Sequence, residues 1–236
     1  MLSVDALLLR RGGKPVLHGI SLRVSPGEVT ALLGANGAGK SSTVMAIAGV
    51  LPVTEGRIEV DGQTLCDQRP ERVRGLGVAV VPEGHRVLGA LSVLDNLRAA
   101  ATLLPLSEVQ SGIDRVLAIF PELEPKLSQL GGSLSGGQKQ MVCIAQALIG
   151  KPRYLAIDEL SLGLSPLIVK RLAAVVQQVA RDGVGVLLIE QFTTLALSIS
   201  TRAYVLERGR IAFEGAAEEL QRRPEILHSS YLAAPA

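Results

Sequence analysis

The sequence predicts an α/β domain built on a largely parallel sheet covered by helices. Three observations carry that reading. Strand-sized apolar runs alternate with helical patterns in the last third of the chain, the order that produces parallel sheets. A glycine-rich loop, "GANGAGKS" at Gly34–Ser41, sits between a strand run and a helix run. The stretch from Leu91 to about Gly150 reads as helices alone, an insertion beside the sheet.

Taken in order, "LSVDALLL", "VLHGISLRV", "VTALLG", "RIEV" and "LGVAVV" read as strands separated by the turns "RGGK", "SPGE" and "VDGQ". Ala38–Val50 reads as the first helix. Ser92–Leu104, Ser107–Ile119 and Gly136–Ile149 follow as helices of the inserted block. Strands return in "YLAID", "VGVLLIE", "RAYVLE" and "RIAFEG", with helices over Pro166–Arg181 and Phe192–Ser200 between them. The closing "AAPA" reads as a loose tail.

Composition excludes several classes. At 236 residues with 47% hydrophobic content, the chain suits one domain with a substantial core. A net charge of +2 argues against a dedicated nucleic-acid binder, which would neutralise many phosphates. No apolar run approaches the roughly 18 residues of a membrane span. The N-terminal "MLSVDALLLRR" is too short for a signal peptide, and its basic pair follows the apolar run. Cys66 and Cys143 are the only cysteines, which implies no disulfide framework and a reducing compartment. Cys143 falls in an apolar helical pattern and reads as core. His18, His85 and His228 have no second ligand cluster, so no structural metal is assigned.

The glycine loop is a phosphate cradle. Gly34, Gly37 and Gly39 let the backbone curl so that successive N–H groups of Ala35, Asn36, Ala38 and their neighbours face one anion. Lys40 can reach the β- and γ-phosphates. The Ser41 hydroxyl is placed for Mg²⁺ and Ser42 for the α-phosphate side, while the following helix adds its positive end. A second requirement is met by "YLAIDE", an apolar strand ending in two acids. If the chain bends at the strand end, Asp158 can hold Mg²⁺ and Glu159 can orient a water for attack.

A second glycine-rich helix start, "LSGGQ" at Leu134–Gln138, makes the same kind of anion site. Ser135 can cap the helix and donate its hydroxyl, and Gly136 and Gly137 expose backbone N–H groups. Met141, Ile144, Ala145 and Leu148 form one apolar face of that helix. Without a lysine at the cradle position, this loop suits a lid over a phosphate held elsewhere. The physical expectation is a head-to-tail dimer with two nucleotides between two such chains.

The order of phosphate loop, "LSGGQ" and "YLAIDE" resembles the ATP-binding-cassette ATPases over nearly the whole chain. The resemblance implies a P-loop NTPase with a RecA-like core, an antiparallel β-subdomain and an inserted α-helical subdomain. The core and β parts would take approximately residues 1–87 and 151–236, and the helical part approximately 88–150. It implies ATP and Mg²⁺ as ligands, with Ser135, Gly136, Gly137 and Gln138 acting on the partner's ATP. It also implies membrane permease subunits, a homologous ATPase subunit in a homo- or heterodimer, and indirectly a periplasmic substrate-binding protein, but no nucleic acid. Such a chain would sit peripherally on the cytoplasmic face of the membrane.

Departures from the family pattern narrow the resemblance. Glu83 in "VVPEGHRVLGALSVLDNL" stands where the family usually has glutamine; it can still reach a Mg²⁺-bound water. Gln191 in "LLIEQF" replaces the usual histidine. It can donate to a γ-phosphate oxygen but cannot titrate near neutral pH, which shifts water activation towards Glu159. Both changes, with "YVLERGRIAFEG" and "SSYLAA", are similar to the smaller ATPase of branched-chain amino acid uptake systems. Import of branched-chain or other hydrophobic amino acids is the expectation. A urea or amide importer, a lipid or polysaccharide exporter, a soluble non-transport ATPase and a small-molecule kinase are the alternatives. Arg11 aligns with the family's adenine-stacking aromatic and could stack through its guanidinium. Leu160 stands where the family has proline, which implies a looser loop over Ser161–Ser165, and Ser165 takes the place of the usual aspartate of that loop.

Overall fold

The structure is a computed structural model and describes residues 1–223 and 225–227. His228, "SSYLAA" and "AAPA" lie outside the described residues. Two sheets form the frame. The first pairs β2 (Lys14–Val24), β1 (Leu2–Arg11), β4 (Glu55–Val60) and β5 (Gln63–Thr64) in that spatial order, all antiparallel. Its alternating burial, as in the "eBeBeB" close of β2, shows one face on the core and one in solvent.

The second sheet runs in the order β10 (Arg210–Ala216), β9 (Arg202–Glu207), β3 (Val29–Leu33), β8 (Gly185–Glu190), β7 (Tyr154–Asp158) and β6 (Val78–Val81). Its pairs are parallel except the β9–β10 edge. β3, β7 and β8 are buried at every position. That is why they read as unbroken apolar runs instead of alternating ones: helices cover both faces of a parallel sheet. One apolar cluster gathers Leu33, Ile157 and Leu188 with the helices on one side. The other gathers Leu32, Ala156 and Ile189 with the antiparallel sheet on the opposite side.

The helices are α1 (Lys40–Ile47), α2 (Pro70–Gly75), α3 (Val93–Ala100), α4 (Leu106–Ile119), α5 (Gly136–Leu148), α6 (Pro166–Arg181), α7 (Thr193–Ile199) and α8 (Ala217–Arg222). Several are shorter than the sequence suggests. α1 starts at Lys40, not Ala38, because Gly39 at φ 114° still belongs to the loop. α3 ends at Ala100 and tightens into a 3₁₀ turn over Ala101–Leu103. α2 and α8, each six residues long, have no period for a sequence reading to detect.

Between β6 and β7 the described chain forms helices, 3₁₀ turns and loops, with one isolated bridge, Ser92 with Leu130. This block is tied to the frame by polar groups. Arg74 of α2 donates to the Ala100 and Gln146 carbonyls at 3.1 and 2.7 Å. Asn96 of α3 is fully buried; its Oδ1 accepts from Leu88 N at 2.8 Å. Its Nδ2 donates to the carbonyls of Leu88, Leu91 and Ser92 at 3.0, 3.3 and 2.9 Å. Gln146 of α5 closes the cluster by donating to Asn96 O at 3.1 Å. Gln146 Nε2 also donates to Asn96 Oδ1 at 3.3 Å, so both N–H groups and both lone pairs of the Asn96 side-chain amide are used, which is what its burial requires.

Candidate functional site

A cleft of about 520 Å³ opens at the carboxyl ends of the parallel strands, where open α/β sheets place their ligands. The cradle loop forms its floor. Gly34 follows the last residue of β3 and passes so close to β9 that an added Cβ would lie 2.2 Å from the Leu206 carbonyl oxygen. Asn36, Gly37, Gly39, Lys40, Ser41 and Ser42 line the cleft. Ala35 and Ala38 hold the curl behind them, with Ala38 N donating to Ala35 O at 3.2 Å. Lys40 Nζ donates to the carbonyls of Gly34 and Ala35 at 2.7 and 3.1 Å, so the loop is wrapped around its own ammonium. Burial holds the Lys40 pKa below its ordinary value, against the charges of Glu159, Asp158, Glu190 and Glu83.

Opposite the loop stand the carboxylates. Asp158 ends β7, is 4% exposed, and has the Ser41 side chain beside it. Its Oδ1 has no partner among the described residues. A buried carboxylate oxygen left unmatched beside a serine hydroxyl is the donor set of a hard divalent cation. Ser41 and Asp158 thus fit Mg²⁺, with Glu83 on the rim of the same cleft. Burial pushes the Asp158 pKa up, and the Glu83 charge adds to it.

The bend needed to bring both acids to one site is present. Glu159 adopts φ 59°, a left-handed conformation unusual for this residue type. Its N–H donates to Ile189 O at 3.0 Å, and its side chain reaches the cleft instead of the opposite face. Burial, then Glu83 and Asp158, push its pKa up. Gln191 follows β8 and lines the same cleft, as do Arg11 from the β1–β2 edge and Leu162 from the loop after Glu159.

The second glycine loop is built as a helix cap. Ser135 Oγ accepts from Gln138 N at 3.3 Å, and Gln138 Oε1 accepts from Ser135 N at 3.0 Å, a reciprocal capping box. Gly136 and Gly137 open α5, whose Met141, Ile144, Ala145 and Leu148 are buried as their spacing requires. None of Ser135, Gly136, Gly137 and Gln138 lines the cleft that holds the cradle. Cradle residues, Glu83, Glu159, Gln191 and Arg11 meet in one cleft of this chain, and the four predicted residues of the second glycine loop lie outside it.

A family model described as ABC transporter matches residues 17–161. The chain belongs to this family. It is 38% identical over 226 residues to the high-affinity branched-chain amino acid transport ATP-binding protein BraG of Pseudomonas aeruginosa, covering 96% of this chain and 97% of that one. It is 35% identical to the probable branched-chain amino acid transport ATP-binding protein LivF of Archaeoglobus fulgidus, over 87% of each. Among solved structures, an ATP binding subunit of an ABC transporter superposes with a TM-score of 0.85 at 31% identity, covering 98% of both chains. The P-loop NTPase fold and an ABC-type ATP hydrolase activity follow from these matches. No helix among the described residues is long and apolar enough to cross a membrane.

Two findings bear on the sequence expectations. In the loop after Glu159, Leu160 is fully buried in the core and Ser161 is held by Glu190. Glu190 itself went unassigned. The one signal available was a charged residue closing the apolar run "VGVLLIE". Cys143 is buried, and its thiol pKa is pushed up to about 11 by that burial, as a core role implies. His18 lies in β2 and His85 in the loop after β6, and neither belongs to a group of three or more His, Cys, Asp or Glu side chains that could hold a metal among the described residues.

Proposed function

We propose that the chain is the ATP-hydrolysing subunit of a membrane uptake system for branched-chain or other hydrophobic amino acids. It would work as one of two paired ATPases against permease subunits, on the cytoplasmic side, with an external binding protein delivering the cargo. The cargo reading rests on the match to BraG over nearly the full length of both chains. The pairing rests on one geometric observation: the Ser135–Gln138 loop does not line the cleft of its own chain.

In this reading Gly34–Ser42 hold the triphosphate through backbone N–H groups and the Lys40 ammonium. Lys40 then exchanges its two carbonyl partners for phosphate oxygens. Ser41, Asp158 and Glu83 would hold Mg²⁺, which supplies charge neutralisation at the phosphates. Glu159 orients and deprotonates the attacking water, its raised pKa bringing it nearer neutrality. Gln191 donates its amide to the γ-phosphate side, and Arg11 stacks on the base. Ser135, Gly136, Gly137 and Gln138 of each chain close over the other chain's nucleotide. The Gln138 side-chain oxygen is occupied by Ser135 N, so its amide N–H₂ and the hydroxyl of Ser135 are the groups left to face the phosphate.

A complementation experiment tests the pairing. Lys40→Ala and Ser135→Arg chains are assayed for hydrolysis separately and mixed. Each should be inactive alone, and the mixture should recover activity, because one composite site then has an intact cradle and an intact lid. A mixture as inactive as its components would refute the shared site. Uptake of labelled leucine into vesicles containing the permease subunits, lost with Lys40→Ala, checks the cargo; efflux in its place would move the chain to the exporters.

A further inference from the structure

Glu190 is a buried charge that the roles assigned above leave unused. It is 1% exposed at the end of β8, immediately before Gln191. Its Oε1 accepts from Ser161 N at 3.0 Å and its Oε2 from Ser161 Oγ at 3.1 Å. An acid this deep persists where donors match its oxygens. Here both donors come from Ser161, two residues after Glu159.

That turn needs holding. Glu159 sits at φ 59°, and a non-glycine residue relaxes from the left-handed region unless its surroundings over-determine it. The fastening is continuous. Glu159 N donates to Ile189 O, the Leu160 side chain is fully buried, and the Ser161 N–H and hydroxyl end on Glu190. The family's proline would stiffen this point through a fixed φ; here a long-range carboxylate does so.

We propose that Glu190 is a positioning residue for hydrolysis: its buried carboxylate locks the Glu159–Ser161 turn and so fixes where the Glu159 carboxylate stands. This rests on the reading of Glu159 as the group that directs water. Glu190 does not line the cleft. It acts through the turn.

The test compares full-length wild-type chain with Glu190→Ala, Glu190→Gln, Ser161→Ala, Glu159→Gln and the Glu190→Ala/Glu159→Gln double variant. MgATP turnover, affinity for a fluorescent ATP analogue, and hydrogen exchange of the Leu160 and Ser161 amides in nucleotide-free protein are measured. Glu190→Ala should lower kcat about 10- to 100-fold, the scale of an ångström-sized misplacement, and leave nucleotide affinity within about twofold. Its Leu160 and Ser161 amides should exchange faster, whereas those of Glu159→Gln should not. Glu190→Gln should recover most of the loss, since its amide oxygen can accept from the turn and its N–H₂ can donate to Ser161 Oγ. The double variant should be no slower than Glu159→Gln alone.

Wild-type kcat in Glu190→Ala overturns the proposal, as does an equal fall in kcat and affinity. Full turnover in Glu159→Gln overturns the reading beneath it, and the proposal with it; an inactive Glu159→Gln beside a fully active Glu190→Ala overturns the proposal alone. If Glu190→Ala does not fold, Ser161→Ala decides. Losing that one hydrogen bond should reduce kcat about 3- to 10-fold at unchanged affinity, and unchanged kcat overturns the proposal.

Discussion

A single methyl group added at Gly34 should disable nucleotide binding, and the structure sets the scale. The new Cβ would lie 2.2 Å from Leu206 O and 3.2 Å from Leu206 C, both backbone atoms of β9, and 3.3 Å from the Ala38 methyl. The first contact is more than an ångström too short, and a strand backbone in the middle of a sheet cannot turn aside as a side chain can. Overpacking of this kind costs about 1–3 kcal/mol, and forcing the residue at φ 153° adds a strain of the same order. The total of about 2–6 kcal/mol corresponds to a fall in Tm of about 5–20 °C for a domain of this size. Gly37→Ala is the control. Gly37 sits at φ 79° with nothing within 4 Å of an added Cβ, so it incurs only the left-handed penalty of about 1–2 kcal/mol. Thermal melts of the nucleotide-free chains and ATP titrations should therefore rank Gly34→Ala well below Gly37→Ala. A Gly34→Ala protein that melts within a degree of wild type and binds ATP normally would refute the reasoning.

Other expectations follow from the same site. Glu159→Gln should cut hydrolysis by about 10²–10⁴-fold, the usual range for a lost general base. It should accumulate an ATP-bound dimer visible on gel filtration with MgATP. Burial raises the Glu190 pKa above 4.5 despite its Ser161 donors. The folded state therefore holds that proton more tightly than the unfolded one; the stabilising contribution is complete below the unfolded value and is lost as pH rises through the folded value. The Tm of Glu190→Gln relative to wild type should accordingly climb as pH rises from 4.5 through that window, and a flat difference would contradict the sign. With a maleimide at neutral pH, half-buried Cys66 should react first, while Cys143, its thiol pKa at about 11, should stay silent until the protein is unfolded. Mass spectrometry of the two peptides reads this directly.

What the sequence made visible was local in origin. The cradle, the capping box at Ser135 and the acids closing β7 each follow from a handful of neighbouring residues, and each has the geometry its spacing implies. The buried strands were legible because parallel strands covered on both faces become short apolar runs. The parts that were not legible depend on distance along the chain. Glu190 and Ser161 are separated by 29 residues, and only the β7–β8 register makes them partners. The burial of Leu160 depends on a cluster assembled from both sides of the helical block. The start of α1 was misjudged by two residues for a different reason: Ala38 is a good helix former, but Gly39 must stay outside the helix to keep the loop curled around Lys40.

The Asn96 cluster gives the rim of the cleft a mechanical character. Its amide grips both backbone groups of Leu88 and the Leu91 carbonyl, so the latter part of the segment running from Glu83 has little slack of its own. Gln146 extends the same grip to α5. A push at Leu88 is therefore passed as rod-like motion to α3 and to α5, and a load applied to those helices travels back along the same strut towards the Glu83 rim of the cleft.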